Sequence, residues 1–294
     1  MQVNYSVWDP MGNITVLVTS PVPVSARKPV AAHLMQIIPG AEQIGFFTQD
    51  RGTAPCPRLE MAGGEFCGNA AMSAAAMIAE AQGIASGGKF DISLEVSGAD
   101  HPVSVQVVRD GGFECTVSMP LPATVEIFEA VLHETAVSVP LVRLPGIAHF
   151  IAPATEKITA DIRPESLIRR LAANVCAEAY GLIFVDTLAE TGPMVSPTVL
   201  IRPLLYVPEA ATMVWENACG SGSAAVAAWL AAQHGDPVAV RLRQPGGESI
   251  LARAKVALSA PGKADLTFLS ITGRVVLREH DETTIIEYDF KEKK

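Results

Sequence analysis

The sequence has few cysteines, few basic residues and no long, strongly apolar segment. Five cysteines in 294 residues are too few, and odd in number, for a fold stapled by disulfides. Acidic residues outnumber basic ones, 31 to 22, and the net charge of −9 argues against nucleic-acid and polybasic membrane-surface partners. The most apolar segment, 218–232, is mostly alanine and too short to supply the ~20 strongly apolar residues that span a bilayer.

The chain does contain enough apolar residues to build large cores. Hydrophobic residues make up 49% of it, which excludes a disordered protein. A length of 294 residues predicts two domains. The segment Met1–Pro10 has no basic stretch followed by an apolar one, so we expect no signal peptide, reduced thiols and a cytoplasmic location.

Short β-branched runs between glycine and proline turns predict many strands and few helices, which favours an α+β fold. Pro120 and Pro122 follow a predicted strand and indicate a boundary between residues 1–120 and 121–274. The predicted helices are Lys28–Ile38, Asn69–Ala81, Glu165–Ala179 and Gly222–Gln233. The predicted strands are Ile14–Val18, Ile92–Val96, Val103–Val108, Cys115–Met119, Gly181–Val185, Val238–Arg243, Ala254–Leu258, Asp265–Ser270 and Thr283–Tyr288.

An internal repeat links the two halves. Segments 67–83 and 219–235 align without a gap, 152 residues apart, and share six of seventeen residues. Each begins with Cys-Gly, continues through a small polar residue into an alanine-rich helix, and ends at Gly83 or Gly235. Alanine-rich helices can match by chance, but the half-length offset and the shared ends favour a duplication.

The cysteines that begin these helices, Cys67 and Cys219, are the candidate catalytic residues. Small side chains let a helix pack inside a tightly wrapped sheet. The N terminus of such a helix presents free N–H groups and a partial positive charge, which suit a carboxylate and stabilise a thiolate. Duplicated halves commonly pack about a pseudo-two-fold axis, so we expect both thiols to face one cleft. One thiolate can then remove a Cα proton while the opposite thiol returns one, as racemisation requires.

At these residues the chain resembles the diaminopimelate epimerase-like amino-acid racemases, a cofactor-independent, two-cysteine superfamily. Residues 63–69, Gly-Gly-Glu-Phe-Cys-Gly-Asn, and 218–222, Ala-Cys-Gly-Ser-Gly, are similar to its two catalytic-cysteine motifs. Residues 11–13, 40–43 and 146–149 are similar to weaker elements of the family. The resemblance implies two pseudo-symmetric domains, each a curled, mostly antiparallel sheet around a central helix.

The same resemblance implies that a C-terminal strand at about 275–294 returns to the first domain. It assigns Cys67 and Cys219 as the acid/base pair of a homodimer whose substrate is an amino acid, a small molecule, and which needs no cofactor. No Cys-x-x-Cys or His-Glu-x-x-His motif occurs, so no metal site is expected. Candidate substrate-binding residues are Asn13, Gln43, Gly68, Asn69, His149, Glu216, Gly220, Ser221 and Gly222.

Two of these candidates have plain structural alternatives. Glu216 precedes Cys219 by three residues and could orient a substrate ammonium, or simply favour the helix dipole. His149 is a candidate substrate contact through the family element, or a histidine satisfied by strand backbone.

Departures from the family bear on the substrate. Diaminopimelate epimerases have asparagine where this chain has Ile147. They also have an arginine-containing segment before the second cysteine, whereas the corresponding residues here, 205–210, contain no arginine. The cysteine motifs instead look like those of the histidine racemases of opine-type metallophore pathways. Histidine is therefore the leading substrate, with diaminopimelate or another amino acid as the alternative.

Other classes of protein stay open at this point. One is a hydrolase with Cys219 as nucleophile and His149 as base, which gives Cys67 no role. Another is a double-bond isomerase acting on an unsaturated acid. A third is a non-enzymatic anion-binding or redox-sensing protein with a Cys67–Cys219 switch. We expect Cys56, Cys115 and Cys176 to be packing thiols and the turn 244–248 to have no functional role.

Overall fold

The computed structural model describes residues 1–49, 56–132, 135–154, 163–186, 198–209, 211–260 and 263–286. The chain divides into two compact units, Met1–Val117 with Arg274–Lys294, and Ser118–Gly273. Within the described residues each unit is a sheet with two helices. None of the helices in that part of the chain is long and apolar enough to cross a membrane.

The first unit has a circular order of strands. Its strands pair in chain order from β1 to β7, and the last strand of the chain, β16, neighbours both β7 and β1. The elements of this unit are β1 (Gln2–Pro10), β2 (Ile14–Val18), α1 (Val24–Ile37), β3 (Ala41–Thr48), β4 (Arg58–Met61), α2 (Gly68–Ala81), β5 (Lys89–Val96), β6 (Val103–Arg109), β7 (Phe113–Ser118) and the later part of β16 (Lys263–Ile285).

The second unit is built from the middle of the chain and the beginning of β16. Its strands follow the order β16-β15-β14-β12-β11-β10-β9-β8, and β13 pairs with β12. The other elements are β8 (Thr124–Leu132), β9 (Thr135–Leu144), β10 (Ile147–Pro153), α3 (Pro164–Ala172), β11 (Ala179–Val185), β12 (Thr198–Val207), β13 (Thr212–Trp215), α4 (Gly220–His234), β14 (Val238–Arg243) and β15 (Ser249–Ala260).

Both units repeat one series of strand pairings, which supports the duplication. From β1 to β7 the neighbours are antiparallel, parallel, antiparallel, parallel, antiparallel and antiparallel. The same series runs from β9 through β10, β11, β12, β14 and β15 to β16. In each unit one helix follows the second strand of the series, and the alanine-rich helix lies between the fourth and the fifth.

The alanine-rich helices are the centres of their units. Helix α2 contacts β1, β2, β3, β5 and β6, and α4 contacts β8, β9, β10, β14 and β15. Residues 68–76 of α2 are all buried, so the first nine residues of this helix have no exposed polar face. Alanine allows strands to approach the helix backbone from several sides. The predicted bounds of these two helices are confirmed to within two residues.

The helix predicted over Glu165–Ala179 is wrong in its second half. Helix α3 ends at Ala172, and the Tyr180 hydroxyl donates to the Val175 carbonyl at 2.5 Å, which holds the chain in a turn. Strand β11 then begins at residue 179 because it pairs with β10. Cys176 is exposed in this turn and is not a packing thiol.

The other two thiols outside the predicted site differ in burial. Cys115 is buried in β7, as expected of a packing residue, whereas Cys56 is only partly buried.

Long-range pairing also determines strands that the local pattern misses. The predicted strands 265–270 and 283–288 are parts of the single strand β16, and residues 287–294 lie outside the described chain. The local pattern does not predict strands β1, β3, β4, β8, β9, β10, β12 and β13.

Enlarging a central alanine should destabilise the fold. Ala75 and Ala227 are fully buried, so Ala75→Leu or Ala227→Leu should each lower the free energy of unfolding by about 1–3 kcal/mol through overpacking. The matched control is Ala32, which is exposed on α1. Ala32→Leu should change the free energy of unfolding by less than about 0.5 kcal/mol. Urea unfolding measures all three. Equal stability of the three variants would contradict the central position of α2 and α4.

Candidate active site

Cys67 and Cys219 occupy equivalent positions at the starts of the two central helices. Each is the N-cap residue with an extended backbone. The Cys67 Sγ accepts the Ala70 N–H at 3.5 Å, and the Cys219 Sγ accepts the Gly222 N–H at 3.3 Å. In both helices a sulfur therefore takes the capping role that a serine or aspartate oxygen usually fills.

The backbone amides at the start of each helix, before the N–H group that the cysteine caps, can bind an anion. Gly68 and Asn69 begin α2, and Gly220 and Ser221 begin α4. Helical geometry offers the first amides of a helix no acceptor within it, and the helix dipole adds a partial positive charge. Each helix start can therefore hold a carboxylate beside its own thiol.

The turn between β5 and β6 holds the segment that precedes Cys67. The Ser97 hydroxyl donates to the Glu65 carbonyl and accepts the Met61 N–H, both at 2.9 Å. Gly98 follows with a φ of +73°, and a Cβ there would lie 2.3 Å from the Phe66 nitrogen. Only glycine allows this approach of the two backbones.

The turn between β14 and β15 holds Cys219 and the residues that precede it. The buried Gln244 accepts the Cys219 N–H through its Oε1 at 3.0 Å and donates to the Ser223 hydroxyl at 3.1 Å. The Gly246 N–H donates to the Asn217 carbonyl at 3.0 Å. The turn at 244–248 therefore supports the site, contrary to expectation. A glycine in the hairpin after each repeat helix, at 98 and 246, is the signal that could have indicated it.

The environment of Cys219 favours the neutral thiol. Its side chain is 1% exposed, and burial is the main cause that raises its pKa well above the ordinary value. The Glu216 carboxylate raises the pKa further, through its charge and through a hydrogen bond with the thiol. The Gly222 N–H and the Ser221 hydroxyl act in the opposite direction. Cys67 differs in being only partly buried.

His149 lies on β10, fully buried, and contacts the start of α4. Its Nε2 is 3.0 Å from the Ser221 Oγ, and this Oγ is 3.6 Å from the Cys219 Sγ. Burial lowers the pKa of His149 to about 3, so the imidazole is neutral. The ring lies against Gly181, where a Cβ would be 2.1 Å from Nδ1.

Asn13 follows a strained turn between β1 and β2. Met11 has a φ of 60°, a left-handed value that non-glycine residues rarely adopt, and Gly12 follows with a φ of 95°. The Asn13 Nδ2 donates to Glu42 Oε2 at 2.7 Å. Its buried Oδ1 has no hydrogen-bond partner among the described residues, so this oxygen can accept a bond from a bound ligand.

The predicted site residues divide between the two units. Gln43 lies on β3 opposite Thr15 of β2, close in register to Asn13. Direct contacts join His149, Ser221, Gly222 and Cys219, and Glu216 interacts with the same thiol. The first unit contains Asn13, Gln43, Cys67, Gly68 and Asn69, and the second contains His149, Glu216, Cys219, Gly220, Ser221 and Gly222.

The fold is that of the proline racemase and PhzF-type structures. The chain is similar to a probable proline racemase from Agrobacterium radiobacter K84, with a TM-score of 0.69, 14% identity, and coverage of 99% of this chain and 94% of that one. A hydroxyproline epimerase from Agrobacterium vitis gives a TM-score of 0.68 at 14% identity, with coverage of 96% and 91%. A PhzF-family phenazine biosynthesis protein from Bacillus anthracis gives 0.66 at 13% identity, with coverage of 97% and 100%.

Sequence comparison identifies the particular family. The family model of the histidine racemase CntK N-terminal domain matches residues 2–278, and the chain belongs to this family. A histidine racemase of Staphylococcus aureus is 27% identical over 269 residues, 86% of this chain and 89% of that protein. One from Fusobacterium nucleatum is 29% identical over 226 residues, 76% of this chain and 79% of that protein.

Substitutions at two glycines should distinguish the steric clash of a new Cβ with the segment before Cys67 from the strain of a positive φ. Gly98→Ala adds a Cβ at 2.3 Å from the Phe66 nitrogen, so we expect a loss of stability of about 2–4 kcal/mol. Gly87 has a similar φ, +77°, but a Cβ there would have no described atom within 4 Å. Gly87→Ala should therefore lose only about 1 kcal/mol. Chemical denaturation compares them, and equal losses would show that the turn does not press on the segment before Cys67.

Proposed function

We propose that this chain is a histidine racemase that inverts Cα by two-base proton transfer between Cys67 and Cys219, without a cofactor. Family membership supports the racemase reaction, and the histidine specificity of the relatives supports the substrate. The observation that most favours the two thiols is their equivalence. Each caps a central helix through the same amide-to-sulfur hydrogen bond.

The proposed reaction transfers one proton at each face of the substrate. The thiolate of one cysteine takes the Cα proton and becomes a thiol, while the thiol of the other gives its proton to the opposite face of Cα. The negative charge thereby moves from one sulfur to the other. In the reverse direction the cysteines exchange roles, so each must be stable in both protonation states.

The protonation state proposed for Cys219 follows from its surroundings. Burial and Glu216 raise the pKa of Cys219, so we propose that Cys219 rests as the acid and that Cys67 supplies the thiolate. The Gly222 N–H and the Ser221 hydroxyl lower the pKa of Cys219. These two donors stabilise the thiolate that forms there after Cys219 has given up its proton.

The substrate carboxylate is proposed to bind the amides that begin α2 and α4. As the Cα proton leaves, negative charge develops on the carboxylate, and amide donors already in place stabilise it. One such donor lowers a barrier by roughly 3–4 kcal/mol in known enzymes. We assign the Asn13 Oδ1 to the substrate ammonium, because this buried oxygen has no other hydrogen-bond partner in the described part of the chain.

The finer features of the fold and assembly are also proposals. We infer that the two units are the domains of a diaminopimelate epimerase-like fold, which their repeated strand pairings and central helices support. A homodimer and a role in an opine-type metallophore pathway remain predictions from the family resemblance.

Incubation of the reduced protein with L-histidine in D₂O should replace the Cα proton and abolish the optical activity of the solution. Proton NMR and circular dichroism follow the two changes. L-proline, trans-4-hydroxy-L-proline and LL-diaminopimelate serve as parallel substrates. Faster exchange of one of these would replace histidine in the proposal, and no exchange of any amino acid would exclude a racemase.

Cys67→Ser and Cys219→Ser should each lower racemisation by about 10³-fold or more, because a hydroxyl is a far weaker acid and base partner at neutral pH. Cys176→Ser is the matched control, since Cys176 is an exposed thiol in the turn after α3, and it should keep wild-type activity. Circular dichroism checks the fold of each variant. Full activity of Cys67→Ser would favour a mechanism that uses Cys219 alone.

A further inference from the structure

We propose that His149 is a positioning residue that orients the Ser221 hydroxyl toward Cys219 and so stabilises the Cys219 thiolate. The inference rests on the proposed racemase function, and it gives His149 a role other than contact with the substrate. Its evidence is the continuous series of side chains from His149 to Ser221 to Cys219, all within the second unit.

The geometry gives each member of the series a neighbour within hydrogen-bonding distance. The His149 Nε2 lies 3.0 Å from the Ser221 Oγ, and the Ser221 Oγ lies 3.6 Å from the Cys219 Sγ, within the range of a hydrogen bond to sulfur. His149 is 0% exposed, and its Nε2 contacts the Ser221 hydroxyl, so the imidazole acts on the reaction through this hydroxyl.

The buried environment also determines the tautomer of His149. Its Nδ1 has no hydrogen-bond partner among the described residues and faces Gly181. A buried N–H without an acceptor is rarer in proteins than a buried acceptor without a donor. The proton of the neutral ring therefore belongs on Nε2, from which it is donated to the Ser221 oxygen.

This donation leaves the single proton of the Ser221 hydroxyl for Cys219. The Gly222 N–H, at 3.3 Å, is a second donor to the same sulfur. Glu216 is the charged group that acts against them, because its carboxylate favours the protonated thiol. The hydrogen bonds from His149 through Ser221 thus favour the thiolate, whereas Glu216 favours the thiol. Both protonation states of Cys219 stay accessible, which is necessary because this residue must act as an acid in one direction and as a base in the other.

Gly181 keeps the imidazole in place. A Cβ at this position would lie 2.1 Å from Nδ1 and 2.6 Å from Cε1 of His149. Glycine on β11 therefore provides the space that lets the ring reach Ser221, in the register that pairs His149 with Gly181.

The test measures the protonation of Cys219 directly. Alkylation by iodoacetamide as a function of pH, with each modified cysteine identified by peptide mass spectrometry, gives separate midpoints for Cys219 and Cys67. Ser221→Ala and His149→Leu should raise the Cys219 midpoint by about one pH unit, a tenfold loss of thiolate. Cys67 should keep its midpoint in every variant, and the exposed Cys176 calibrates the reagent.

A conservative variant distinguishes positioning from packing. His149→Gln places an amide N–H near the position of Nε2, so it should restore the wild-type midpoint and raise kcat about tenfold above that of His149→Leu, with similar KM. Equal midpoints in His149→Gln and His149→Leu, or an unchanged midpoint in Ser221→Ala, would overturn the proposal.

Nitrogen NMR tests the unmodified enzyme, whatever the stability of the variants. In protein labelled with ¹⁵N-histidine, the His149 signal should show the proton on Nε2 at neutral pH, and a proton on Nδ1 would contradict the inference. Alkylation and NMR do not depend on turnover. A wild-type protein that fails to exchange histidine would therefore refute the proposed function, whereas unshifted Cys219 midpoints would refute only the role of His149.

Discussion

The site depends on one interaction made twice, a backbone N–H donated to the sulfur of a cysteine that caps a buried helix. The bond fixes the thiol at the end of α2 or α4, next to the amides that open the helix. A helix can begin at such a point only if the sheet can wrap around it, and the alanines of 70–76 and 224–228 make this possible. Core packing and chemistry are thus properties of the same short segments.

The two copies of this arrangement differ in the side chains that surround their thiols. In the first unit a serine and a glycine of the β5–β6 turn hold the segment before a partly buried thiol. In the second unit Gln244 binds the cysteine backbone itself. Glu216 and Ser221 interact with a buried thiol, and His149 contacts Ser221. The duplicated fold supplies two similar positions, and the side chains around the two sulfurs differ.

Local signals are sufficient for the helices that follow the cysteines, and insufficient for most of the sheet. The Cys-Gly start, the alanine run and the terminal glycine lie within seventeen residues, so the sequence predicts them directly. Strand β1 pairs with residues near the end of the chain, and no local pattern records such a partner. The contact between His149 and Ser221 spans 72 residues. The end of α3 differs from its prediction because a tyrosine in the next strand, Tyr180, binds the turn.

The most direct test of the two-thiol account is the location of deuterium in the first turnovers of L-histidine in D₂O. If different sulfurs remove and return the proton, the D-histidine formed should contain deuterium at Cα, while the remaining L-histidine still contains hydrogen. Chiral separation followed by mass spectrometry measures both pools. Deuterium appearing equally in L-histidine and D-histidine from the start would show that a single base serves both faces, and would contradict the account.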